Sequence, residues 1–229
     1  LVEDLNIAWA QHNNGAPIAL PAGGTSFARW SRVLEQHAHS AAVLEAAEAW
    51  RAVVRTPAVV SAVQPDRDTY ASAASASMSL DTATTRRLLG EVPAAFHAGV
   101  QDILLIAFGL AWTEFLGSGP TPIGIDVEGH GRDEQWAGED VDLSRTVGWF
   151  TTKYPVALTP GAISWEQVCA GDAALGAVIK DAKEQLRALP DGVSYGLLRY
   201  VTPDVDLGGA EPGIGFNYLG RLGAGSAEL

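Results

Sequence analysis

The sequence has little of what marks nucleic-acid-binding or membrane proteins. It has three lysines, at positions 153, 180 and 183, no basic run, and a net charge of −12 from 27 acidic and 15 basic residues. Because binding to a nucleic-acid backbone requires cations that neutralise phosphates, this balance argues against a nucleic-acid partner. The longest apolar run, Ile103 to Trp112, is about half as long as a membrane-spanning helix must be, so we expect no membrane partner.

The single cysteine, Cys169, excludes a disulfide within the chain. No Cys and His residues cluster at the spacing of a metal site, so we expect no metal. The chain does not open with a basic segment followed by an apolar one, so we expect a soluble protein of the reducing cytoplasm. Cys169 lies beside Val168 on the apolar side of a predicted helix, which indicates a small buried side chain rather than a nucleophile.

The chain does contain enough apolar material for a substantial core, since 47% of its 229 residues are hydrophobic. Apolar spacings of three and four residues, together with capping residues, predict helices. These helices are residues 1–12, one that begins at Phe27 after Thr25 or Ser26 as cap, residues 41–54, one from the cap Asp81 to Leu89, residues 101–116, one from the capping box of Ser164 and Gln167 to Leu189, and a short one near Leu197. Period-two alternation and β-branched or aromatic content predict strands at residues 76–80, 123–128, 146–158 and 214–219. This order favours an α/β fold with helices packed on a mixed sheet.

One predicted strand ends in an unusual charged turn. In residues 123–128 the odd positions are apolar, whereas Asp126 and Glu128 share the opposite face. The pentapeptide EGHGR at 128–132 then combines an acid, an imidazole and a guanidinium with glycines that allow close approach of a substrate. In one interpretation Glu128 is a general base or acid, and Arg132 holds the turn or pairs with Asp126. In the other, this is a solvated turn whose charges pair with one another.

Five segments of the chain, one of which contains this turn, form a collinear series. They are DILLIAFG at 102–109, EGHGRD at 128–133, RTVGWFTTKYPV at 145–156, PDGVSYG at 190–196 and FNYLGR at 216–221. In order and approximate spacing this series resembles the epimerization domains of nonribosomal peptide synthetases, a branch of the condensation-domain superfamily. Condensation domains themselves lack the combination of EGHGR with FNYLG, so the resemblance is to the epimerizing branch.

The resemblance implies a chloramphenicol-acetyltransferase-like α/β sandwich with two lobes in a V. A tunnel between the lobes would admit the phosphopantetheine arm of a carrier domain. The implied reaction interconverts the L and D configurations at Cα of an aminoacyl or peptidyl thioester, which requires proton removal from one face and delivery to the other. In the family one acid/base group is a glutamate that matches Glu128. The other is the second histidine of an HHxxxDG-type motif in the N-terminal lobe.

That histidine motif is absent here, because none of the five histidines is adjacent to another. We therefore expect a chain that starts after the motif. Residues 1–66 would be a helical remnant of the N-terminal lobe, and residues 67–229 would be the C-terminal lobe. We also expect this chain to be inactive alone, because half of the active site would lie in the missing lobe.

The resemblance also implies a set of residues that line the tunnel or bind substrate, namely His130, Arg132, Trp149, Tyr154, Asn217 and Tyr218. His130 lies on the same turn as Glu128 and cannot readily reach the opposite face of Cα, which favours a hydrogen-bonding role over that of a second base. Large aromatic side chains such as Trp149, Phe150 and Tyr154 lie more often in a core than in a cleft, and only about one of the three is expected at the tunnel wall.

Tyr218 has two interpretations. Its hydroxyl could orient the thioester or relay a proton, or it could be a core tyrosine with a satisfied hydroxyl. Period two over residues 214–219 places Tyr218 and Asn217 on opposite faces of the predicted strand, so both line one wall only if the strand twists or bulges there.

The implied partners are a peptidyl carrier domain with its tethered thioester, the N-terminal lobe and adjacent synthetase domains that make an antibiotic or siderophore peptide. The carrier would supply the phosphopantetheine arm, so we expect this chain to bind no cofactor of its own. Two alternatives remain open. One is a condensation domain that forms peptide bonds, and the other is a non-catalytic domain that only docks a carrier.

Overall fold

The computed structural model of the protein describes residues 1–117, 119, 121–134 and 136–220. Contacts divide the chain into two compact units. The first unit consists of Leu1–His37 and Arg132–Phe150, and the second, here called the sheet unit, consists of Ala38–Gly131 and the chain from Thr151 onward. Residues 38–66 thus belong to the sheet unit, so the boundary predicted at residue 66 does not separate these units and stays a prediction about the lobes of a larger domain.

The described residues form helices and a mixed sheet. The first unit contains α1 (Val2–Asn13) and α2 (Phe27–His37). The helices of the sheet unit are α3 (Ala41–Glu45), α4 (Ala47–Val54), α5 (Thr82–Leu89), α6 (Glu91–Phe96), α7 (Val100–Leu116), α8 (Trp165–Ala170), α9 (Ala173–Arg187) and α10 (Gly192–Tyr200). Its strands are β1 (Ile123–Gly129), β2 (Thr152–Leu158) and β3 (Gly215–Phe216). This is the α/β arrangement that the sequence predicts.

Strand β1 lies at the centre of the sheet, in the order β2-β1-β3. It pairs antiparallel with β2, in a register that places Ile123 opposite Leu158 and Gly129 opposite Thr152. It pairs parallel with β3, with Asp126 beside Gly215. The carboxyl ends of β1 and β3 therefore lie at the same edge of the sheet.

The odd-numbered face of β1 forms the core of the sheet unit. Ile123, Ile125 and Val127 are at most 1% exposed, which confirms the predicted alternation, and Leu105 of α7 packs against them. Helix α7 also approaches β2 closely at Gly109, where an added Cβ atom would lie 2.7 Å from a methyl group of Leu158. A larger residue at position 109 would therefore have to displace the buried side chain of Leu158.

The first unit has a small aromatic core of its own. Trp30 of α2 packs with Leu143 and Phe150. Of the two predicted caps of α2, Ser26 has the capping contact, since its hydroxyl accepts a hydrogen bond from the Arg29 N–H at 3.2 Å. The Thr25 hydroxyl instead accepts one from the N–H of Asp142 at 3.0 Å. Ser26 therefore caps α2, and Thr25 links the start of this helix to the loop that contains Asp142.

Three predicted strands differ from the structure. Residues 76–80 pair with no strand among the described residues, and Met78 is 93% exposed. Their alternating pattern therefore does not correspond to a strand with one buried face. The strand predicted from residue 146 begins only at Thr152, because residues 146–150 belong to the first unit. The strand predicted over 214–219 is limited to β3.

Two predicted helices are each interrupted. Residues 41–54 form α3 and α4, which meet at Ala46. The capping box of Ser164 and Gln167 is confirmed, but it begins only α8, which ends at Gly171 in the left-handed conformation with φ 66°. The following helix, α9, therefore starts with a new helical phase, and Cys169 is exposed rather than buried as predicted.

Among the described helices, none by itself combines the length and the apolar character needed to cross a bilayer. The pair Thr82–Phe96 and Val100–Leu116 meets that criterion only when both parts are counted together, and it bends by 95°.

Candidate active site

A cavity of about 570 Å³ opens at the sheet edge where β1 and β3 end. Its lining comes from the start of α7, the end of β1, the start of β2 and the chain after β3, namely Gly99, Val100, Gln101, Glu128, Gly129, His130, Thr151, Asn217, Tyr218 and Leu219. At the start of α7, the Asp102 carboxylate accepts a hydrogen bond from the Gly99 N–H at 2.9 Å and so fixes that wall. Three of the residues that the sequence indicates as site residues, together with Glu128, thus meet in one cavity.

Glu128 is held in this cavity by Asn217. The side-chain amide of Asn217 donates a hydrogen bond to Oε2 of Glu128 at 2.6 Å. The contact follows from the parallel pairing. Val127 of β1 lies beside Phe216 of β3, so the residues that follow them, Glu128 and Asn217, are neighbours. A short bond to a carboxylate oxygen fixes the orientation of the carboxylate.

Asn217 and Tyr218 both line the cavity, although alternation along a strand would separate them. The reason is that β3 ends at Phe216, whose ring packs in the core 5.7 Å from that of Phe108. Beyond this residue the chain leaves the strand geometry, and period two no longer applies. Tyr218 is half-buried at the cavity wall.

His130 and Arg132 follow Glu128 in sequence but have different surroundings. His130 is exposed and lines the cavity. Arg132 belongs to the first unit, where its guanidinium donates to the carbonyls of Leu143 at 2.7 Å and Thr146 at 3.0 Å. Arg132 thus binds the loop that contains Leu143 and Thr146, and its predicted role in the tunnel remains a prediction.

Neither of the two aromatic candidates, Trp149 and Tyr154, is among the described residues that line the cavity. Trp149 is 84% exposed and belongs to the first unit. Tyr154 is half-buried in the sheet unit, with its ring 6.1 Å from that of Trp50. A tunnel role for either residue remains a prediction.

A charged cluster next to Glu128 was not foreseen from the sequence. The Lys153 ammonium lies 3.3 Å from Oδ2 of Asp126 and 2.7 Å from Oε2 of Glu211, and these three residues are here called the acid–lysine cluster. The Tyr200 hydroxyl donates to the other oxygen of Glu211 at 3.1 Å. The side chain of Asp126 is 10% exposed. Asp126 thus pairs with Lys153, whereas the sequence suggested Arg132.

Burial and pairing have opposite effects on the acids of the cluster. Burial raises the pKa of Asp126, and the nearby charge of Lys153 offsets part of that rise. The hydrogen bond to Glu211 raises the pKa of Lys153, and the same bond lowers the pKa of Glu211. Lys153 is therefore the main cation that compensates the burial of the Asp126 carboxylate at neutral pH.

Replacing Lys153 by Met should destabilise the fold in a pH-dependent way. At neutral pH the change leaves Asp126 buried without its cation, and we expect a loss of about 1 kcal/mol, less than for a fully buried pair because Lys153 is partly exposed. A raised carboxyl pKa means that the native state binds the proton more tightly than the unfolded state. The loss should therefore shrink as the pH falls through the pKa of Asp126. Urea unfolding at pH 7 and pH 4 measures it.

The matched control for this variant is Lys180→Met, at an exposed position of α9. It should change the unfolding free energy little at either pH. If both variants lose the same unfolding free energy at both pH values, the acid–lysine cluster does not contribute specifically to stability.

Within the described part of the chain, no group of three or more His, Cys, Asp or Glu side chains is arranged to hold a metal ion. The polar groups at the cavity are instead a carboxylate, an amide, an imidazole and a phenol, from Glu128, Asn217, His130 and Tyr218. This set can accept and donate protons and can orient a carbonyl group.

Residues 1–208 match the family model of the condensation domain. The chain belongs to the condensation-domain family. Chondramide synthase cmdD of Chondromyces crocatus is 38% identical over 232 residues, which cover 98% of this chain and 6% of that synthase. Surfactin synthase subunit 2 of Bacillus subtilis (strain 168) is 36% identical over 227 residues, which cover 97% of this chain and 6% of that subunit.

Two solved structures have a similar fold. The epimerization domain from the third module of tyrocidine synthetase B superposes with a TM-score of 0.75 at 30% identity, over 95% of this chain and 48% of that one. The first condensation domain of the CDA synthetase gives a TM-score of 0.55 at 16% identity, over 93% of this chain and 43% of that one. The predicted chloramphenicol-acetyltransferase-like α/β fold is confirmed by these likenesses. This condensation-family chain spans about half the length of the solved domains and a small part of the synthetases.

Proposed function

We propose that this chain is the C-terminal part of an epimerization domain of a nonribosomal peptide synthetase. In this proposal, it interconverts L and D configurations at Cα of an aminoacyl or peptidyl thioester. The observation that carries the proposal is the placement of Glu128 in the cavity, with its carboxylate oriented by Asn217. The likeness to a solved epimerization domain, at 30% identity over 95% of the chain, supports it.

Epimerization requires a base that reaches one face of Cα. A thioester carbonyl acidifies the proton on Cα, so a carboxylate can remove it and leave an enolate. Because Asn217 holds Oε2 of Glu128, we assign the proton to Oε1. Inversion then requires a second acid that returns a proton to the opposite face, whereas return from Glu128 restores the original configuration.

The second acid is assigned to the N-terminal lobe of the full domain. His130 and Glu128 both line the cavity and lie two residues apart in sequence, so we expect His130 to approach Cα from the same side as Glu128. The carrier domain supplies the thioester on its phosphopantetheine arm, and this chain contributes the wall with the base and no cofactor. Adjacent synthetase domains deliver the substrate and accept the product.

A second candidate function is peptide-bond formation, which the match to the condensation-domain model favours. Chiral chromatography distinguishes the two. A full domain that contains this chain should convert a carrier-bound L-aminoacyl thioester into a mixture of L and D forms. Transfer of the aminoacyl group to a second carrier with its configuration retained would instead establish the condensation role.

Tyr218→Phe should reduce epimerization more than it reduces stability. The change removes a hydroxyl at the cavity wall. A hydrogen bond worth about 1 kcal/mol in the transition state corresponds to a fall of about fivefold in the rate. The unfolding free energy should change by less than about 1 kcal/mol, because Tyr218 is only half-buried.

Tyr70→Phe is the matched control for this variant, since Tyr70 is fully exposed. It should leave both the rate and the melting temperature at the parental values. A lower melting temperature with unchanged turnover in Tyr218→Phe would remove Tyr218 from the site and leave Asn217 as the contribution of this segment.

A further inference from the structure

The sheet places a lysine directly across from Glu128. The antiparallel register of β1 and β2 pairs Glu128 with Lys153. Residues opposite each other in such a pair point to the same face, with Cβ atoms about 5 Å apart. The lysine stem is long enough to bring its ammonium to the Glu128 carboxylate, so the register by itself favours a cross-strand ion pair.

The lysine ammonium instead pairs with two other carboxylates. It is bound by Asp126, the diagonal neighbour on β1, at 3.3 Å and by Glu211, in the chain before β3, at 2.7 Å. Asp126 is fixed by burial and by the hydrogen bond from its N–H to the Ile214 carbonyl at 2.8 Å. Glu128 is bound by a neutral amide, that of Asn217.

A carboxylate that removes a proton from carbon, as proposed for Glu128, acts more slowly when an ammonium group is paired with it. An ammonium within about 4 to 6 Å lowers the pKa of a carboxylate by about 1 to 3 units, and a weaker base abstracts a proton more slowly. We propose that Asp126 and Glu211 are positioning residues that bind the Lys153 ammonium and thereby keep it from forming an ion pair with Glu128, the proposed base. The inference rests on the proposed function and adds a determinant of its pH dependence.

Other charged groups face these residues from the surrounding elements. From α10, the Arg199 charge acts on Asp126 in the same direction as Lys153 does, and Tyr195 and Tyr200 lie close to the cluster. At the cavity, His130 and Tyr218 lie beside Glu128. On α7, Asp102 caps the helix start at the cavity wall. All of these groups are retained in the variants below, so their contributions are common to every profile.

The test uses a full epimerization domain that contains this chain, with its carrier-bound substrate. The rate at which solvent deuterium enters Cα is measured from pH 4 to pH 9. In Asp126→Asn/Glu211→Gln, the released ammonium should pair with Glu128. The acid limb of the profile should then move down by about one pH unit, and the plateau rate should fall about threefold or more because the base is weaker.

Adding Lys153→Met to this double variant removes the ammonium. The triple variant should therefore restore both the acid limb and the plateau rate. Removal of a contact with a merely structural role would leave the triple variant no better than the double. A parental profile for the double variant, or an unrestored profile for the triple, overturns the inference.

A single exposed substitution covers the case in which the double variant does not fold. Glu211→Gln alone weakens one of the two bonds that hold Lys153, and it should shift the acid limb in the same direction by less. Absence of that shift overturns the inference. The Glu128→Gln variant tests the proposed function separately. If this variant exchanges the Cα proton as fast as the parent, Glu128 is not the base and both proposals are overturned.

Discussion

Glu128→Gln in the full domain is expected to slow exchange of the Cα proton by about 100-fold or more. Glutamine keeps the volume of the side chain and an oxygen that can accept the bond from Asn217, but it cannot take up a proton near neutral pH. The measurement is deuterium incorporation at Cα of the carrier-bound thioester, followed by mass spectrometry. Binding of the loaded carrier should be nearly unchanged.

The matched control is Glu166→Gln, an exposed glutamate in the first turn of α8. It should exchange the proton at the parental rate. If Glu128→Gln also incorporates deuterium at that rate, Glu128 is not the base and the cavity must be assigned another role.

The isolated chain of 229 residues should convert no detectable L-aminoacyl thioester into the D form. Among the described residues that line the cavity, Glu128 and His130 lie two positions apart at the end of β1, so we do not expect His130 to reach the opposite face of Cα, and the proposal assigns the second acid to the N-terminal lobe. The full domain serves as the positive control in the same chiral assay, and circular dichroism shows whether the isolated chain is folded.

A folded chain that epimerizes by itself would contradict the assignment of the second acid to another lobe. His130 and Tyr218 would then be the candidates for that acid. Loss of epimerization in His130→Gln or Tyr218→Phe of the isolated chain would identify which of the two acts.

The parts of the fold that depend on local patterns were predictable from the sequence. Ile123, Ile125 and Val127 of β1 are buried because an alternating strand has one apolar face, and the cap Asp81 accepts a hydrogen bond from the Thr84 N–H at 2.8 Å as expected. The prediction that Cys169 is buried is wrong, because it assumes one continuous helix with one apolar face. The helix ends at Gly171, and Cys169 is exposed.

The site could be predicted only in part, because its contacts depend on pairings between distant segments. Glu128 and Asn217 are 89 positions apart, and only the resemblance placed both at one site. The acid–lysine cluster depends on the exact register of β1 against β2 and on the path of the chain at Glu211. Neither property is encoded in a local period.

Isotope exchange from both configurations is the most direct test of the proposed reaction. The full domain is incubated in deuterated water with a carrier loaded with either the L- or the D-aminoacyl thioester. Epimerization predicts that both reactions reach the same ratio of L to D and that the inverted product carries deuterium at Cα. Retention of configuration in both reactions, with no deuterium at Cα, would contradict it.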